Sequence, residues 1–323
     1  MAEATPIEPT AERREFKFAD YAPTYGALAA LVLLVAGNMI FTTNFAAVDN
    51  FRNILVQVTP TMLVAIGMTF VISTGGIDLS VGSVMAIASA VAAVTLDYGA
   101  GIAILLALVV AASAGALNGI LIARYKIQPI IITLAVLIAG RGVAQVISRG
   151  GEVISFSNPA FEFLGSGFIA GFPFQIILLV LVVALAVFTI RSTIFGRYVI
   201  AVGGNEEAAR LSGVRVNRTK IMVYAISGLL AGFAGLIFTA RLGSSDAGKV
   251  GEGIELDAIA ATVVGGTPLT GGRANIIGTV IGALIMIVIS TSFNMNNLKF
   301  SYALVIKAAI ILIAVYIQRP KIN

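Results

Sequence analysis

The sequence predicts an all-α, polytopic integral membrane protein with about ten transmembrane helices, some of them short or broken. Of its 323 residues, 58% are hydrophobic and only 11% are charged, against about 25% charged in an ordinary soluble domain. Glycine is abundant, with 34 residues scattered through the apolar runs, as is typical of membrane helices that pack closely. Ten apolar segments approach the ~20 residues that a helix needs to cross a bilayer.

The ten segments are flanked by polar termini. The first 24 residues carry charges of both signs and are too long and too acidic for the front of a cleaved signal peptide. They are predicted to form a disordered cytoplasmic tail. A transmembrane domain over 25–318 and a cytoplasmic tail over 319–323 complete the domain organisation. The predicted spans are 25–41, 54–73, 80–96, 100–122, 127–147, 169–190, 219–241, 253–265, 274–292 and 299–318.

Two of these segments, 80–96 and 253–265, are short and lie beside glycines. Such segments are typical of the broken or half-spanning helices of transporters. A weak internal repeat occurs next to these segments, since the sequence GGIDLSVG at 75–82 resembles GGTPLTGG at 265–272. The repeat is compatible with a duplicated half of the protein and equally with a common sequence solution for tight turns. In the first copy, Asp78 or Ser80 is expected to cap the following helix.

The basic residues predict the orientation in the membrane. The net charge is +5, and most Lys and Arg residues lie in alternate short loops, as the positive-inside rule requires. The basic charge therefore indicates membrane topology and no nucleic-acid partner. Both termini and the polar loop 191–220 are placed in the cytoplasm, and the segment 148–168, with a short helix, is placed outside. A lipid bilayer is the expected location.

The chain has no Cys and no His, which removes thiol chemistry, the usual general base and the commonest metal ligands. We therefore expect no catalytic residue and no metal site. The segment 243–249, GSSDAGK, has phosphate-loop spacing, but Val250 stands where Ser or Thr would hold magnesium. We expect no cofactor to be bound by this chain; if ATP supplies energy, another chain binds the ATP and magnesium.

Several polar side chains lie in or beside the apolar spans and are candidates for a substrate pathway. A charge at the centre of a membrane helix costs ~2.5–3.5 kcal/mol on insertion scales, so it should face protein, water or the interface. A structural partner, or a side chain that extends to the membrane interface, explains Arg141 and Lys307 as well as a pathway role does. Interhelical hydrogen bonds explain Asn118 and Gln145 equally well. The pathway candidates are Asp78, Asn118, Arg141, Gln145, Asp257 and Asn294.

The spacing Gly-xxx-Gly occurs three times, beginning at Gly115, Gly228 and Gly278. It predicts close contact between helix backbones. The polar loop holds a different feature, a short amphipathic helix predicted over 205–212 and ended by Gly213. Such a helix is either a solvated surface helix or a coupling helix that docks into a groove on another protein. The candidate coupling residues are Gly204, Asn205, Glu206, Glu207, Ala208, Ala209 and Gly213.

From 53 to 317 the chain resembles the permeases of ribose/xylose/galactose-type ABC importers. The resemblance rests on GMTFVISTGGIDLSVG at 67–82, GGNEEAA at 203–209 and ELDAIAATVVGG at 255–266. The stretch 127–145 is most similar to the galactofuranose branch. The Glu-Ala-Ala loop departs from the wider ABC pattern because it lacks the later Leu-Pro, which leaves open which residue touches the ATPase.

The resemblance implies a monosaccharide importer of the bacterial inner (plasma) membrane that works by alternating access, with 25–318 as its transmembrane permease domain. Its expected partners are a cytoplasmic ABC ATPase, a periplasmic sugar-binding protein and a second permease chain, which is either a copy of this one or a homologue. The alternative is an ion- or proton-coupled secondary transporter, for which Asp257 is the best acidic candidate within a span. The sequence does not define which sugar is carried.

Overall fold

A computed structural model describes residues 22–318. Residues 1–21 of the predicted tail 1–24 and the predicted tail 319–323 lie outside the described residues, and 22–24 belong to the first helix. The described chain is predominantly helical. The helices are α1 (Ala22–Phe41), α2 (Val48–Ser73), α3 (Val81–Thr95), α4 (Ala100–Tyr125), α5 (Pro129–Ile147), α6 (Pro159–Ser166), α7 (Phe174–Ser192), α8 (Ile194–Gly204), α9 (Glu206–Leu211), α10 (Val216–Leu242), α11 (Ile254–Val264), α12 (Ile276–Met295) and α13 (Phe300–Gln318).

Each of the ten predicted spans corresponds to one helix, and the all-α membrane architecture is confirmed. Within 22–318, eight helices are long and apolar enough to cross a membrane. The helices α11 and α13 are not among them. The 11 residues of α11 reach only ~16 Å at 1.5 Å per residue, and α13 counts as a shorter apolar helix over Ser301–Tyr316. The span predicted to begin at residue 169 begins instead at Phe174. A two-stranded hairpin precedes it, with positive φ at Ala170 and Gly171.

The hairpin pairs β2 (Phe168–Ile169) with β3 (Phe172–Pro173). A second pair joins β1 (Ile154–Ser155) to β4 (Ser244–Ser245), which follows α10 directly. The main core is built around α2, α3 and α10, whose side chains are mostly buried. The helices α1, α4, α5 and α7 are far less buried, and their exposed Leu, Ile, Val and Phe side chains form an apolar outer surface that suits lipid.

The predicted glycine contacts are present. A β-carbon on Gly228 of α10 would collide with the Ala111 carbonyl oxygen of α4, and one on Gly115 of α4 would collide with the Tyr224 carbonyl oxygen. In the same way, Gly278 and Gly282 bring α12 against the backbone of α11. Because no side chain separates the backbones, each pair of helices approaches closely.

The molecule has two ends, separated by the length of α7 and α10. At one end, here called the α6 end, α6 packs against the last turn of α10 through Gly165 and Arg241. At the other, here called the α9 end, α8 and α9 precede the first turn of α10. The predicted short helix in 148–168 is α6, and the one in 205–212 is α9.

Candidate functional site

Two irregular connections enter the interior of the helix bundle from opposite ends. The first, residues 74–80, leaves α2 at the α9 end and leads to α3. Asp78 in this connection contacts Ser227, which lies 11 residues into α10 and therefore ~16 Å from its start. The second connection, residues 243–253, leaves α10 at the α6 end and leads to α11. Val81 at the start of α3 is buried, as are Val250 and Gly251 just before α11, whereas Gly253 at the start of α11 is exposed.

The beginnings of α3 and α11 meet. A β-carbon on Gly82 would collide with the Gly251 carbonyl oxygen, and one on Gly251 would lie 2.5 Å from the Gly82 carbonyl oxygen. Neither helix has a side-chain capping hydrogen bond from its N-cap residue, which is Ser80 for α3 and Gly253 for α11. Helix N-termini present unpaired N–H groups and a partial positive charge. Two sets of hydrogen-bond donors therefore converge at this crossing.

A buried polar cluster stands beside the crossing. The Asp78 carboxylate, 1% exposed, accepts hydrogen bonds from the Ser80 hydroxyl at 2.6 Å, from the Ser80 backbone N–H at 3.1 Å and from the Ser227 hydroxyl at 2.8 Å. The Asn118 amide donates to the Ser80 hydroxyl at 2.8 Å. The cluster therefore joins α3, α4 and α10 through polar contacts, and it brings together two of the predicted pathway residues.

The expected cap on α3 is wrong in its detail. Ser80 occupies the N-cap position, but its side chain is turned to Asp78 and its own N–H is held by the same carboxylate. Sequence reasoning also missed Ser227 and Tyr224, whose hydroxyl is buried against Gly76. The available signal was the position of Ser227 directly before Gly228, on the face of α10 that packs closely.

Arg141 has a structural partner. From the middle of α5 its guanidinium donates hydrogen bonds to the carbonyl oxygens of Ala247 at 3.0 Å and Val250 at 2.6 Å. Both acceptors belong to the 243–253 connection. Arg141 thus holds irregular backbone inside the bundle, where carbonyl groups would otherwise lack donors. The same contacts place its side chain beside the crossing of α3 and α11.

The other three candidates lie elsewhere. Asp257 of α11 pairs with Lys307 of α13, with Nζ to Oδ1 at 3.0 Å and Nζ to Oδ2 at 3.1 Å. This ion pair explains how a lysine is accommodated within an apolar helix. Gln145 and Asn294 are exposed on the surface of this chain. The structure therefore groups Asp78, Asn118 and Arg141 around one crossing and separates the remaining three from it.

The predicted coupling segment is a capped helix. The side-chain oxygen of Asn205 accepts a hydrogen bond from the backbone N–H of Ala208 at 2.9 Å, which caps the start of α9. After α9, Gly213 adopts a left-handed φ of +82°. The Gly213 N–H donates a hydrogen bond to the Arg210 carbonyl oxygen, and the Val214 N–H donates one to the Ala209 carbonyl oxygen. The expected C-terminal glycine is therefore present, one residue beyond the Ser212 cap.

Charged side chains tie α9 to α10. Glu206 receives hydrogen bonds from Arg210 at 3.0 Å and from Lys220 at 2.6 Å. Burial alone would raise the pKa of Glu206, but the hydrogen bonds and charges of Lys220 and Arg210 outweigh it and lower the pKa below its usual value. Glu206 is therefore ionised at neutral pH and attaches α9 to the first turns of α10.

The segment just before α9 touches both irregular turns at this end. A β-carbon on Gly203 would collide with the Ser73 carbonyl oxygen and with the Gly272 backbone nitrogen. The Gly272 backbone N–H donates a hydrogen bond to the Ser73 carbonyl oxygen at 3.0 Å. The Ser73 hydroxyl in turn donates a hydrogen bond to the Arg273 carbonyl oxygen at 2.8 Å. The turns after α2 and after α11 contain the two copies of the internal repeat, 75–82 and 265–272. Both lie against the end of α8.

An apolar helical bundle in which two short helices meet at their N-termini is typical of multi-pass transport proteins. The family model described as "Branched-chain amino acid transport system / permease component" matches residues 50–315. The chain belongs to this permease family. No solved structure matches it significantly.

The most similar curated proteins include sugar import permeases. The chain is 42% identical to the ribose import permease protein of Escherichia coli strain K12 over 300 residues, which covers 91% of this chain and 93% of the relative. It is 41% identical to the ribose import permease protein of Bacillus subtilis strain 168, covering 96% and 97%. It is 41% identical to the galactofuranose transporter permease protein of E. coli strain K12, covering 83% and 79%. The resemblance to ABC sugar permeases is confirmed, and the chain is a transport subunit of the inner membrane.

Proposed function

We propose that this chain moves a monosaccharide from the periplasm to the cytoplasm by alternating access driven by a separate ATPase. The sugar is a pentose or hexose, including a furanose form such as galactofuranose. The proposal is supported by the named sugars of the relatives. Two such chains, identical or homologous, form the pathway. A periplasmic sugar-binding protein delivers the substrate, and ATP and magnesium bind to the partner ATPase.

The crossing of α3 and α11 is the proposed sugar contact. A sugar is uncharged and rich in hydroxyl groups, so it needs many hydrogen bonds and no fixed counter-charge. The uncapped N-termini of both half-helices supply N–H donors to hydroxyl oxygens, and the guanidinium of Arg141 lies beside them. Broken helices at the centre of a bundle are a recurrent design for transporter binding sites.

The contact of Gly203 with Ser73 and Gly272 is the observation that carries the mechanism. It connects the segment beside α9 to the turns that precede α3 and follow α11. We place the α9 end and both termini in the cytoplasm, where α9 docks on the ATPase. A displacement of α9 is then transmitted to α3 and α11 through these backbone contacts. The ion-coupled alternative is weaker, because its acidic candidate Asp257 is already paired with Lys307.

Substitutions in and after α9 test the coupling role. Gly213→Val places a β-branched residue at a φ of +82°, which costs on the order of 1–2 kcal/mol. The substitution therefore changes the backbone conformation at the end of α9. Glu207→Ala removes an exposed side chain without altering the fold. We expect each variant to insert normally, to co-purify with less ATPase and to lose sugar uptake in reconstituted vesicles. Wild-type docking and uptake in both variants would mean that α9 is only a solvated connector.

A further inference from the structure

The helix α8 is amphipathic and turns one side away from the helix bundle. On its inner side, Phe195 stacks on Phe70 of α2, with the ring centres 6.4 Å apart. On its outer side, Ile194, Arg197 and Tyr198 are exposed. Their spacing of three and four residues aligns them along one side of a helix. These three residues, here called the outer stripe, combine two apolar or aromatic side chains with one positive charge.

The joint between α7 and α8 fixes where the outer stripe lies. The Thr193 hydroxyl donates a hydrogen bond to the Thr189 carbonyl oxygen at 2.7 Å and accepts one from the Gly196 N–H at 3.1 Å. A β-carbon on Gly196 would collide with the carbonyl oxygens of Thr189 and Ile190, so the first turn of α8 packs on the end of α7. Because α7 is apolar, mostly exposed and long enough to cross a membrane, its end lies near the membrane surface. The helix α8 therefore begins at the level of the lipid headgroups.

The charge around the outer stripe is uniformly positive. Arg191 at the end of α7 is exposed, as is Arg197, and neither guanidinium pairs with a carboxylate within residues 22–318. No acidic residue occurs in the sequence between Glu162 and Glu206. A basic helix with apolar and aromatic side chains is typical of helices that lie in the membrane interface. Unpaired arginines at that level attract anionic lipids.

The neighbouring helix α9 has a different surface. It carries the carboxylates of Glu206 and Glu207, which lie 3.0 Å and 3.8 Å from the guanidinium nitrogens of Arg210. An anionic lipid surface attracts basic side chains and repels carboxylates, whereas a groove on a protein can accept both signs. The charges therefore favour lipid as the partner of α8 and protein as the partner of α9.

We propose that α8 is an interfacial helix that binds anionic phospholipids of the leaflet at the α9 end. Arg191 and Arg197 contact lipid phosphate groups, and Ile194 and Tyr198 enter the boundary between headgroups and acyl chains. The lipid contact holds α8 at the membrane surface. It also holds Gly203 near the end of α8, whose backbone touches the turns after α2 and α11. The inference does not depend on which sugar the protein carries.

Tryptophan fluorescence tests the proposal, because the chain has no tryptophan of its own. The full-length variant Tyr198→Trp is reconstituted in vesicles of equal parts phosphatidylcholine and phosphatidylglycerol. In each preparation, one of the two lipids carries bromine near the glycerol end of its acyl chains, where it quenches a fluorophore in contact with it. We expect both preparations to quench the fluorescence, and quenching to be at least twofold stronger when the bromine is on phosphatidylglycerol.

Two comparisons serve as controls. The variant Leu211→Trp on α9, where Leu211 is 82% exposed, should not be quenched by either lipid. Adding Arg191→Gln and Arg197→Gln to Tyr198→Trp should remove the preference for phosphatidylglycerol. Adding Lys249→Gln instead should leave the preference unchanged, because Lys249 is an exposed basic residue outside α7 and α8.

Three results would overturn the assignment. Quenching of Tyr198→Trp no stronger than that of Leu211→Trp would show that α8 does not lie in the interface. Equal quenching by the two brominated lipids would show that the arginines do not select anionic lipid, and loss of quenching on addition of the ATPase would mean that the ATPase covers α8 instead. If Tyr198→Trp fails to fold, judged by gel filtration, Ile194→Trp replaces it. Ile194 lies on the same stripe and is more exposed, at 58% against 37% for Tyr198.

Discussion

At the residue scale, Asp78 shows how a carboxylate is accommodated inside a membrane protein. Its two oxygens accept three hydrogen bonds from Ser80 and Ser227, and the donors come from α10 and from the start of α3. A polar group at this depth is tolerated because it is surrounded by protein, away from lipid. It also holds the 74–80 connection in place, and with it the position at which α3 begins.

Replacing Asp78 should therefore destabilise the bundle. The substitution Asp78→Ala leaves the hydroxyls of Ser80 and Ser227 and the Ser80 N–H without their acceptor, and buried unpaired groups cost ~1–3 kcal/mol each. We expect the free energy of unfolding in detergent to fall by about 2–4 kcal/mol. The control Asp97→Ala alters an exposed carboxylate in the turn after α3 and should change it by less than ~0.5 kcal/mol. Equal effects would show that the Asp78 contacts do not stabilise the fold.

Sequence reasoning at this scale found the right residue types and only part of their grouping. Asp78, Asn118 and Arg141 were singled out as polar groups in apolar spans, and the structure brings them to one crossing. Gln145 and Asn294 were chosen for the same reason and lie apart, because hydropathy does not show which face of a helix is turned inward. Tyr224 was missed, since a tyrosine inside an apolar helix carries no distinctive pattern.

At the element scale, the segment α8–α9 was predicted in part. The capped α9 followed from Asn205 and Gly213, both readable as helix-terminal residues. The helix α8 was missed because 191–220 was treated as one polar loop, although its first part contains a run of apolar residues. The contact of Gly203 with two distant turns was not predictable, since it depends on packing between segments far apart in the chain.

A pair of adjacent glycines tests that contact. Gly203→Ala should force the Ser73 and Gly272 backbones apart, at ~1–3 kcal/mol for a steric clash in a packed region. Gly204→Ala is the matched control, because a β-carbon there meets no atom within 4 Å and alanine favours a helix over glycine by up to ~1 kcal/mol. We expect thermal unfolding of the isolated chain to shift down for the first variant only. A similar loss for both would rule out the clash as its cause.

Glu206 gives the same segment a pH dependence. Its lowered pKa means that the charged form is favoured in the folded state. Its contribution to stability is therefore complete above the unfolded pKa of ~4.3 and is lost as the pH falls through the lower folded value. Amide hydrogen exchange of α9, expressed as protection factors, should stay constant from pH 8 to 6 and weaken only under strongly acidic conditions.

Two variants sharpen this measurement. Glu206→Gln should lower the protection of α9 at neutral pH and remove its dependence on acid. Glu207→Gln is the control, since Glu207 is more exposed and its carboxylate lies 3.8 Å from Arg210. If Glu206→Gln behaves like wild type over the whole range, the ion pairs with Lys220 and Arg210 do not attach α9 to α10.

At the scale of the whole molecule, the sequence predicted the architecture well. Composition and ten apolar segments were enough to define a helical membrane bundle, because a lipid-facing surface constrains every span in the same way. The two short segments form the helices α3 and α11. Of these, α11 is too short to cross a membrane, whereas residues 81–98 are long and apolar enough to do so. Their crossing inside the bundle was not predictable, because Gly82 and Gly251 meet through the fold alone and no local pattern links them.

At the scale of the whole molecule, the entry point of energy separates an ATP-driven importer from a secondary transporter. The phosphate-loop resemblance at 243–249 lacks a hydroxyl at Val250 and follows a helix. We propose that the energy comes from another subunit, which acts on α9. A secondary transporter of the same shape would instead use an ion gradient and would work alone.

The most direct test is uptake of labelled ribose and galactofuranose into vesicles that contain this permease, its ATPase and its sugar-binding protein. We predict uptake of at least one sugar that requires all three components and ATP on the ATPase side. It should be insensitive to collapse of the proton and sodium gradients. Uptake by the permease alone, driven by an imposed ion gradient and unaffected by ATP, would contradict the account.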